Sequence, residues 1–375
     1  MAPPQSPSFL LHFAALEDPR VERTREHRLL DLVFIAVCAV VSGANGFVGM
    51  EKFGKAKQAW LAKYLELPGG IPSHDTFGRV LSALKPEGFL DCFLSWVESL
   101  QVRTAGKVIG IDGKTARASL DRAKGKSPLH VVSAWAADNR LVLGQVVTDE
   151  KSNEITAIPA LLRLLELHGA IVTIDAMGCQ KEIVAQVREQ GGDYVLAVKG
   201  NQEHLEEDVV NHFAQLDEGQ LPRHSLSAFE TDEKGHGRHD YRRYEVVPVP
   251  QGLRHLREWK DLQSIARVTR VYQERGAEKS EVRYFISSLP AHAEPLAKAI
   301  RGHWGIENGL HWVLDMYFDE DRSRARVDHA AENLAMLRRW ALSLLRQDTT
   351  LKGGIANKRL QVGWDEKNLE RLLKL

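Results

Sequence analysis

The chain has 375 residues, 43% hydrophobic and 27% charged, the balance of an ordinary soluble globular protein with room for one large domain and a small one. Its 50 basic and 50 acidic residues cancel, so the molecule as a whole is no polycation and any hold on nucleic acid must come from local basic surfaces. Cys38, Cys92 and Cys179 are scattered and lack C-x-x-C spacing, which speaks against a disulfide framework or a zinc finger and suits a reducing cytoplasm.

The opening MAPPQSPSF has neither the basic start nor the apolar core of a signal peptide. The apolar stretch from Leu29 to Val41 is interrupted by Asp31 and is shorter than the about 20 residues a bilayer needs, so it reads as a buried helix and no membrane is expected. Helices are predicted over 28–41 and over 47–67, the second stopped by Pro68-Gly69-Gly70. Ser73 is the N-cap of a helix over 74–84, and Pro86 opens another that runs to about Leu100. Residues 1–100 are therefore expected to form a small all-helical N-terminal domain.

The pattern changes near Gly106. Val108–Ile111, His130–Ala137 and Leu141–Val147 are short, apolar and β-branched, and Asp138-Asn139 makes the last two a hairpin. A helix over 158–168, a strand over 171–174, a helix over 180–190 and a strand over 194–198 follow. The order β-β-β-α-β-α-β predicts an α/β fold with a ribonuclease-H-like core spanning 101–350. Residues 201–290 break the alternation. After a charged helix over 202–216 and a polar loop come strands over 241–248, 265–272 and 282–288, a β-rich insertion or sheet extension. From Pro295 the chain reads as helix to about Arg346, and 351–375 as a loosely attached tail ending in a short helix.

Three acids stand in chemically distinct settings. Asp112 ends an apolar run in VIGIDGKT, Asp175 ends another in AIVTIDAMG, and Glu307 lies in the helical stretch RGHWGIENGLHW. Alone, each Asp reads equally well as a turn or cap residue. Together they end strands expected to be neighbours near the middle of one sheet. Carboxylates held that close repel unless a cation lies between them. Hard divalent ions take oxygen ligands, and two of them roughly 3.5–4 Å apart drive phosphoryl transfer. His303, Glu307 and His311 are spaced to share one helix face, for which a zinc site is the rival reading. Asp319, Glu320 and Asp321 are further candidate ligands.

Basic residues flank these acids. Lys114, Arg117, Arg122, Lys124 and Lys126 follow Asp112, Lys199 follows the 194–198 strand, and Arg322, Arg324 and Arg326 follow the acidic run. Each reads as a backbone-phosphate contact or as a solvated charge. KGHGRHDYRRYE, with Arg238, Arg242 and Arg243, interleaves bases with aromatics. It suits unpaired DNA, and equally an edge strand guarded by charge.

IDGKT, TIDAMGCQK, LAVKGNQ, KGHGR and HWGIENGLHWVLDMYFDED, in that order, with IPSHDTFGRVLSAL before them and KGGIANKRLQVGWDE after, resemble the H-repeat-associated (ISAs-type) bacterial insertion-sequence transposases of the DDE superfamily. The resemblance implies that Asp112, Asp175 and Glu307 are the catalytic, metal-binding triad. It implies two Mg²⁺ or Mn²⁺ ions as cofactor, transposon-end and target DNA as partners, and at least a homodimer in the active complex. The implied activity is cleavage at transposon ends and transfer of the freed 3′-hydroxyl into target DNA, with the N-terminal helices reading the ends. The alternatives are a metal-dependent nuclease of the same fold and an inactive DNA-binding derivative. Ile300, His303 and Leu314 replace the Tyr, Arg and Lys of the signature that many relatives carry, and His303 and His311 are expected to take over its DNA contacts.

Overall fold

The computed structural model describes residues 11–100, 104–121, 125–148, 154–235, 238–253, 255–274 and 277–375. At its centre are β1 (Val108–Thr115) and β4 (Ile171–Ile174), parallel neighbours. On one side β2 (His130–Ala136) and β3 (Leu141–Thr148) extend the sheet as an antiparallel hairpin. On the other, β5 (Asp193–Val198) lies parallel to β4. The parallel connections run through α6 (Glu154–Leu162) and α7 (Lys181–Glu189), which pack on the same face and close it with Ile158, Leu161, Ile183 and Val187. The element order is therefore the expected one.

Four antiparallel strands lengthen this sheet after α8 (Glu203–Asp217): β6 (Ser227–Gly235), β7 (Arg238–Pro248), β8 (Ser264–Glu274) and β9 (Ala277–Ser287). β9 pairs with β5, so the described residues form one nine-stranded sheet of order β3-β2-β1-β4-β5-β9-β8-β7-β6. The segment is thus a sheet extension. Its first strand, expected as a polar loop, is the free edge. The basic stretch starting at Arg238 lies in β7, paired on both sides, and is no edge strand.

Helix α9 (Ala293–Ile306) crosses the other face of the sheet, from the extension to β1 and β4, over a core of Val195, Val246, Phe285, Leu296 and Ile300. The helix expected to continue to Arg346 is broken twice. At Glu307–His311 it widens into one π turn before α10 (Trp312–Phe318). At Asp319 the backbone turns left-handed (φ 50°), ending α10 before α11 (Ala330–Gln347).

The N-terminal helices are α1 (Leu29–Val41), α2 (Phe47–Ala56), α3 (Gln58–Leu61), α4 (His74–Ala83) and α5 (Pro86–Ser99). Ser73 caps α4 by accepting from Thr76 N, and Pro86 opens α5. Helices α1, α4 and α5 pack around α11, whose Trp340 is enclosed by Phe13, Phe89, Phe93 and Trp96, and α2 lies against α1 and α4. Helix α11 also lies against β3, so the N-terminal helices share one hydrophobic core with the sheet. The C-terminal segment is no loose tail. It forms α12 (Ile355–Trp364) and α13 (Glu366–Leu373), with Val362, Leu369 and Leu373 buried. Arg359 donates to the carbonyls of Val40 (2.8 Å) and Ala44 (3.2 Å) and so closes the C-terminal end of α1. Glu370 accepts from Trp60 and Tyr64.

Candidate active site

Side chains alternate across a strand. Gly110 backs onto Ile306 and the carbonyl of His303, whereas Gly113 backs onto His130 and Glu154 behind the sheet. Gly110, Asp112 and Lys114 therefore face α9 and the π turn. Thr173 faces the same way, with its hydroxyl 3.2 Å from Nδ1 of His303. The β1–β4 register ends at Ile111 beside Ile174, so Asp112 and Asp175 are the next residues on adjacent strands, on that same face. β1 itself runs on to Thr115, held by β2, so Asp112 lies within its strand rather than at its end.

The electrostatics match this convergence. Burial, reinforced by the charges of Asp175, Glu154 and Glu307 and opposed by the amide of Gly113, pushes the Asp112 carboxyl up to about 7. Its side chain is 19% exposed. Oδ1 accepts from Gly113 N at 2.9 Å. In Asp175 a single oxygen, Oδ1, accepts from the amides of Met177 and Gly178 in a 3₁₀ turn, which leaves Oδ2 for a cation. Glu307 is exposed and opens the π turn. It shares with Asp175 the lining of a cavity of about 340 Å³, which also reaches Lys199, Arg283, His303 and Trp304.

A divalent metal fits the donor set in part. Uncompensated carboxylates on one face suit Mg²⁺, which takes few protein oxygens and keeps waters. Among the described residues no three His, Cys, Asp or Glu side chains are close enough together to form a ready cage. The zinc reading has poorer geometry: Nδ1 of His303 is turned to Thr173, and Nδ1 of His311 lies 3.4 Å from Oδ2 of Asp112. Burial holds both imidazoles below the usual range, His311 at about 3. Neither ring is fully exposed, and His303 lines the cavity shared by Asp175 and Glu307.

Lys114, expected as a DNA contact, is also turned inward and only 7% exposed. Its ammonium meets Asp315 at 2.7 Å, Asp321 at 3.1 Å and Glu320 at 3.7 Å. Burial opposes ionisation of Glu320, but Arg339 and Lys114 outweigh it and hold that carboxyl below its usual range. Arg339 is bound to Glu320 at 2.7 Å and to Ser133, the register partner of Asp112, at 3.1 Å. Asp321 and Glu320 are therefore occupied by internal cations, and Asp319 accepts from Asn45.

Other predicted residues lie elsewhere. Arg117 and Arg322 are 84% and 87% exposed, each with only a long ion pair. Lys199 is exposed beside the cavity. Arg242 is paired with Asp240 and Glu233, and Arg243 with Glu230 and Glu245, across the extension. Arg326 donates to the carbonyl of Ala118. Arg322 and Arg324 are exposed. Arg122, Lys124 and the side chain of Arg238 fall outside the described residues.

One buried chain has no counterpart among the sequence expectations. Behind Gly113, His130 Nε2 lies 2.6 Å from Glu154 Oε1, and His130 Nδ1 lies 2.8 Å from the Thr115 hydroxyl. A Cβ on Gly113 would stand 2.3 Å from His130 Nε2 and 2.4 Å from Glu154 Oε1, so the residue after Asp112 has to be glycine. No spacing rule pairs residues 130 and 154. The signal was a histidine and a glutamate beside apolar runs, which ordinary surface positions also show.

The family model described as "Transposase DDE domain" matches residues 103–344, and one described as "DDE_Tnp_1-associated" matches residues 10–97. The chain belongs to the DDE transposases. Within that family it is 40% identical to the H repeat-associated putative transposase YhhI of Escherichia coli (strain K12), over 96% of each chain. It is also 40% identical to the putative transposase YncI of Escherichia coli O157:H7, over 98% of this chain and 94% of that one. Among solved structures, a synaptic complex of piggyBac transposase with hairpin DNA aligns with 95% of this chain and 75% of that one. The TM-score is 0.44 and the identity 10%, a likeness too distant to carry weight. Among the described residues no helix is long and apolar enough to cross a membrane.

Proposed function

We propose that the chain is a metal-dependent DNA transposase of the H-repeat-associated kind, with a ribonuclease-H-like core and with Asp112, Asp175 and Glu307 as its catalytic acids. The observation that carries this reading is the pair of register-adjacent aspartates facing the helix that carries Glu307, where burial first and then the charge of Asp175 raise the Asp112 carboxyl. Strand order β3-β2-β1-β4-β5 with both aspartates on its central parallel pair supports the core assignment.

Asp112 and the free oxygen of Asp175 would hold Mg²⁺ or Mn²⁺, with Glu307 completing the second site. When bound, two such ions activate an attacking oxygen and stabilise the leaving one. The chain's own residues set the geometry. Gly113 N and the 3₁₀ amides orient the two aspartates. Glu307, exposed on the π turn, would meet the incoming DNA. Arg117, Arg322 and Lys199 are free to meet backbone phosphates, as guanidinium and ammonium groups do. Arg242 and Arg243 would contribute only by giving up their ion pairs. The substrate is transposon-end DNA in the cytoplasm, then target DNA. Two ends must be brought together, so the working form is at least a dimer, with the N-terminal helices, α4 foremost, reading the ends.

Purified protein incubated with Mg²⁺, a DNA fragment bearing a transposon end and a supercoiled plasmid tests this. Joined products are expected. Cut ends without joining identify a nuclease, and DNA binding without cutting identifies an inactive derivative.

A further inference from the structure

His311, the last residue of the π turn, touches the first acid of the site. Its Nδ1 lies 3.4 Å from Oδ2 of Asp112, while Oδ1 of that carboxylate is held by Gly113 N. The ring is 13% exposed and thus poorly placed to meet a DNA phosphate. The charges of Arg339, Glu320 and Lys114 act on it. Three buried atoms of this cluster have no hydrogen-bond partner within the protein: His311 Nε2, Arg339 Nη2 and Glu320 Oε2. They are a ring nitrogen that can accept, a donor and an acceptor. Buried polar atoms are satisfied by one another or by ordered water. The oxygens of an ionised Asp112 can only accept, so the ring nitrogen that faces Oδ2, Nδ1, has to carry the proton, which leaves Nε2 as an acceptor.

We propose that His311 is a positioning residue for Asp112: it directs an Nδ1–H at Oδ2 of the ionised carboxylate. A carboxylate has about four lone-pair sites, so one bond from Gly113 and one from His311 leave room for a cation and fix the direction in which it is presented. Partners of this kind, behind the residues that hold a metal, orient them and are worth roughly ten- to a hundredfold in metal affinity. His311 closes the π turn that Glu307 opens, so one turn carries both residues. The proposal rests on the reading of Asp112 as a metal-binding acid.

Two measurements test it on the full chain. The first is Mn²⁺ affinity, read by electron paramagnetic resonance. The amide N–H of Asn reaches the place of Nδ1, and that of Gln the place of Nε2. His311→Gln is expected to weaken Mn²⁺ binding roughly tenfold or more, with His311→Asn close to the parent chain. Equal loss in both variants, or none in either, overturns the proposal. The second is the tautomer of His311 in metal-free protein at about pH 9, where Asp112 is ionised, read from ¹⁵N shifts of histidine-labelled chain and assigned with His311→Asn. Nδ1–H supports the proposal and Nε2–H overturns it. Should His311→Gln fail to fold, the tautomer decides alone. A parent chain that shows the Nδ1–H tautomer but binds no Mn²⁺ overturns the metal reading instead, and the positioning role of His311 falls with it.

Discussion

Asp112 and Asp175 come immediately after Ile111 and Ile174, the last residues that β1 and β4 share in register, and so occupy adjacent positions on one face of the sheet. Burial there disfavours an ionised Asp112, and the like charge of Asp175 beside it adds to the effect. A folded-state value of about 7 against the usual 3.8 means that between these values the folded chain keeps a proton the unfolded chain has lost. Stability of the metal-free protein therefore falls as pH rises through that window. Urea titrations of parent and Asp112→Asn between pH 4 and pH 8 check this. The parent is expected to lose a few kcal/mol more than the variant, roughly in line with 1.4 kcal/mol per unit.

A cation reverses the sign. Metal binding requires Asp112 to lose its proton, so Mg²⁺ affinity is expected to rise with pH up to about 7 and then level off. Calorimetric titrations at pH 6 and pH 8 measure this, with Asp112→Asn losing both the affinity and its pH dependence. Cleavage by that variant is expected to be lost.

The Arg339–Glu320 pair is fully buried. Arg339→Met strands a carboxylate that has no route to water, and is expected to cost about 3–5 kcal/mol, whereas Arg339→Met with Glu320→Leu recovers most of it. Chemical denaturation of the single and double variants reads the difference.

Gly113→Ala forces a methyl group against the hydrogen-bonded His130–Glu154 pair. A destabilisation of about 1–3 kcal/mol is expected, as for overpacking elsewhere. Thermal denaturation measures it, and cleavage should fall further than stability alone explains, because Asp112 is the preceding residue.

Exposed arginines and paired ones should differ in how DNA binding responds to salt. Arg117→Ala and Arg322→Ala are each expected to lower the slope of log affinity against log salt by about 1. Arg242→Ala, which removes an arginine already bound to Asp240 and Glu233, is expected to leave the slope unchanged. Filter-binding titrations across a salt series discriminate between them.

Much of the core was legible because burial writes itself into strands as apolar runs. Both aspartates stand where such a run stops, and the alternation of strand and helix gave their adjacency. Strand β6 was missed because apolar periodicity does not hold it in place. Its acids Glu230 and Glu233 are matched to Arg243, Arg242 and Arg301, so a polar sequence is stabilised by cross-strand charge. Lys114 misled for a related reason: a cation in sequence reads as surface, and its partners are far along the chain. The π turn has no signature in residue spacing, since the same residues would serve an α helix.

Arg359 closes a helix that begins at Leu29, and this has a consequence in time. During synthesis the first helix leaves the ribosome without the bonds of Arg359 to Val40 and Ala44, and it stays so until more than three hundred further residues have followed. A product cut short before that arginine lacks the clasp that joins its two ends, and makes a natural target for proteases.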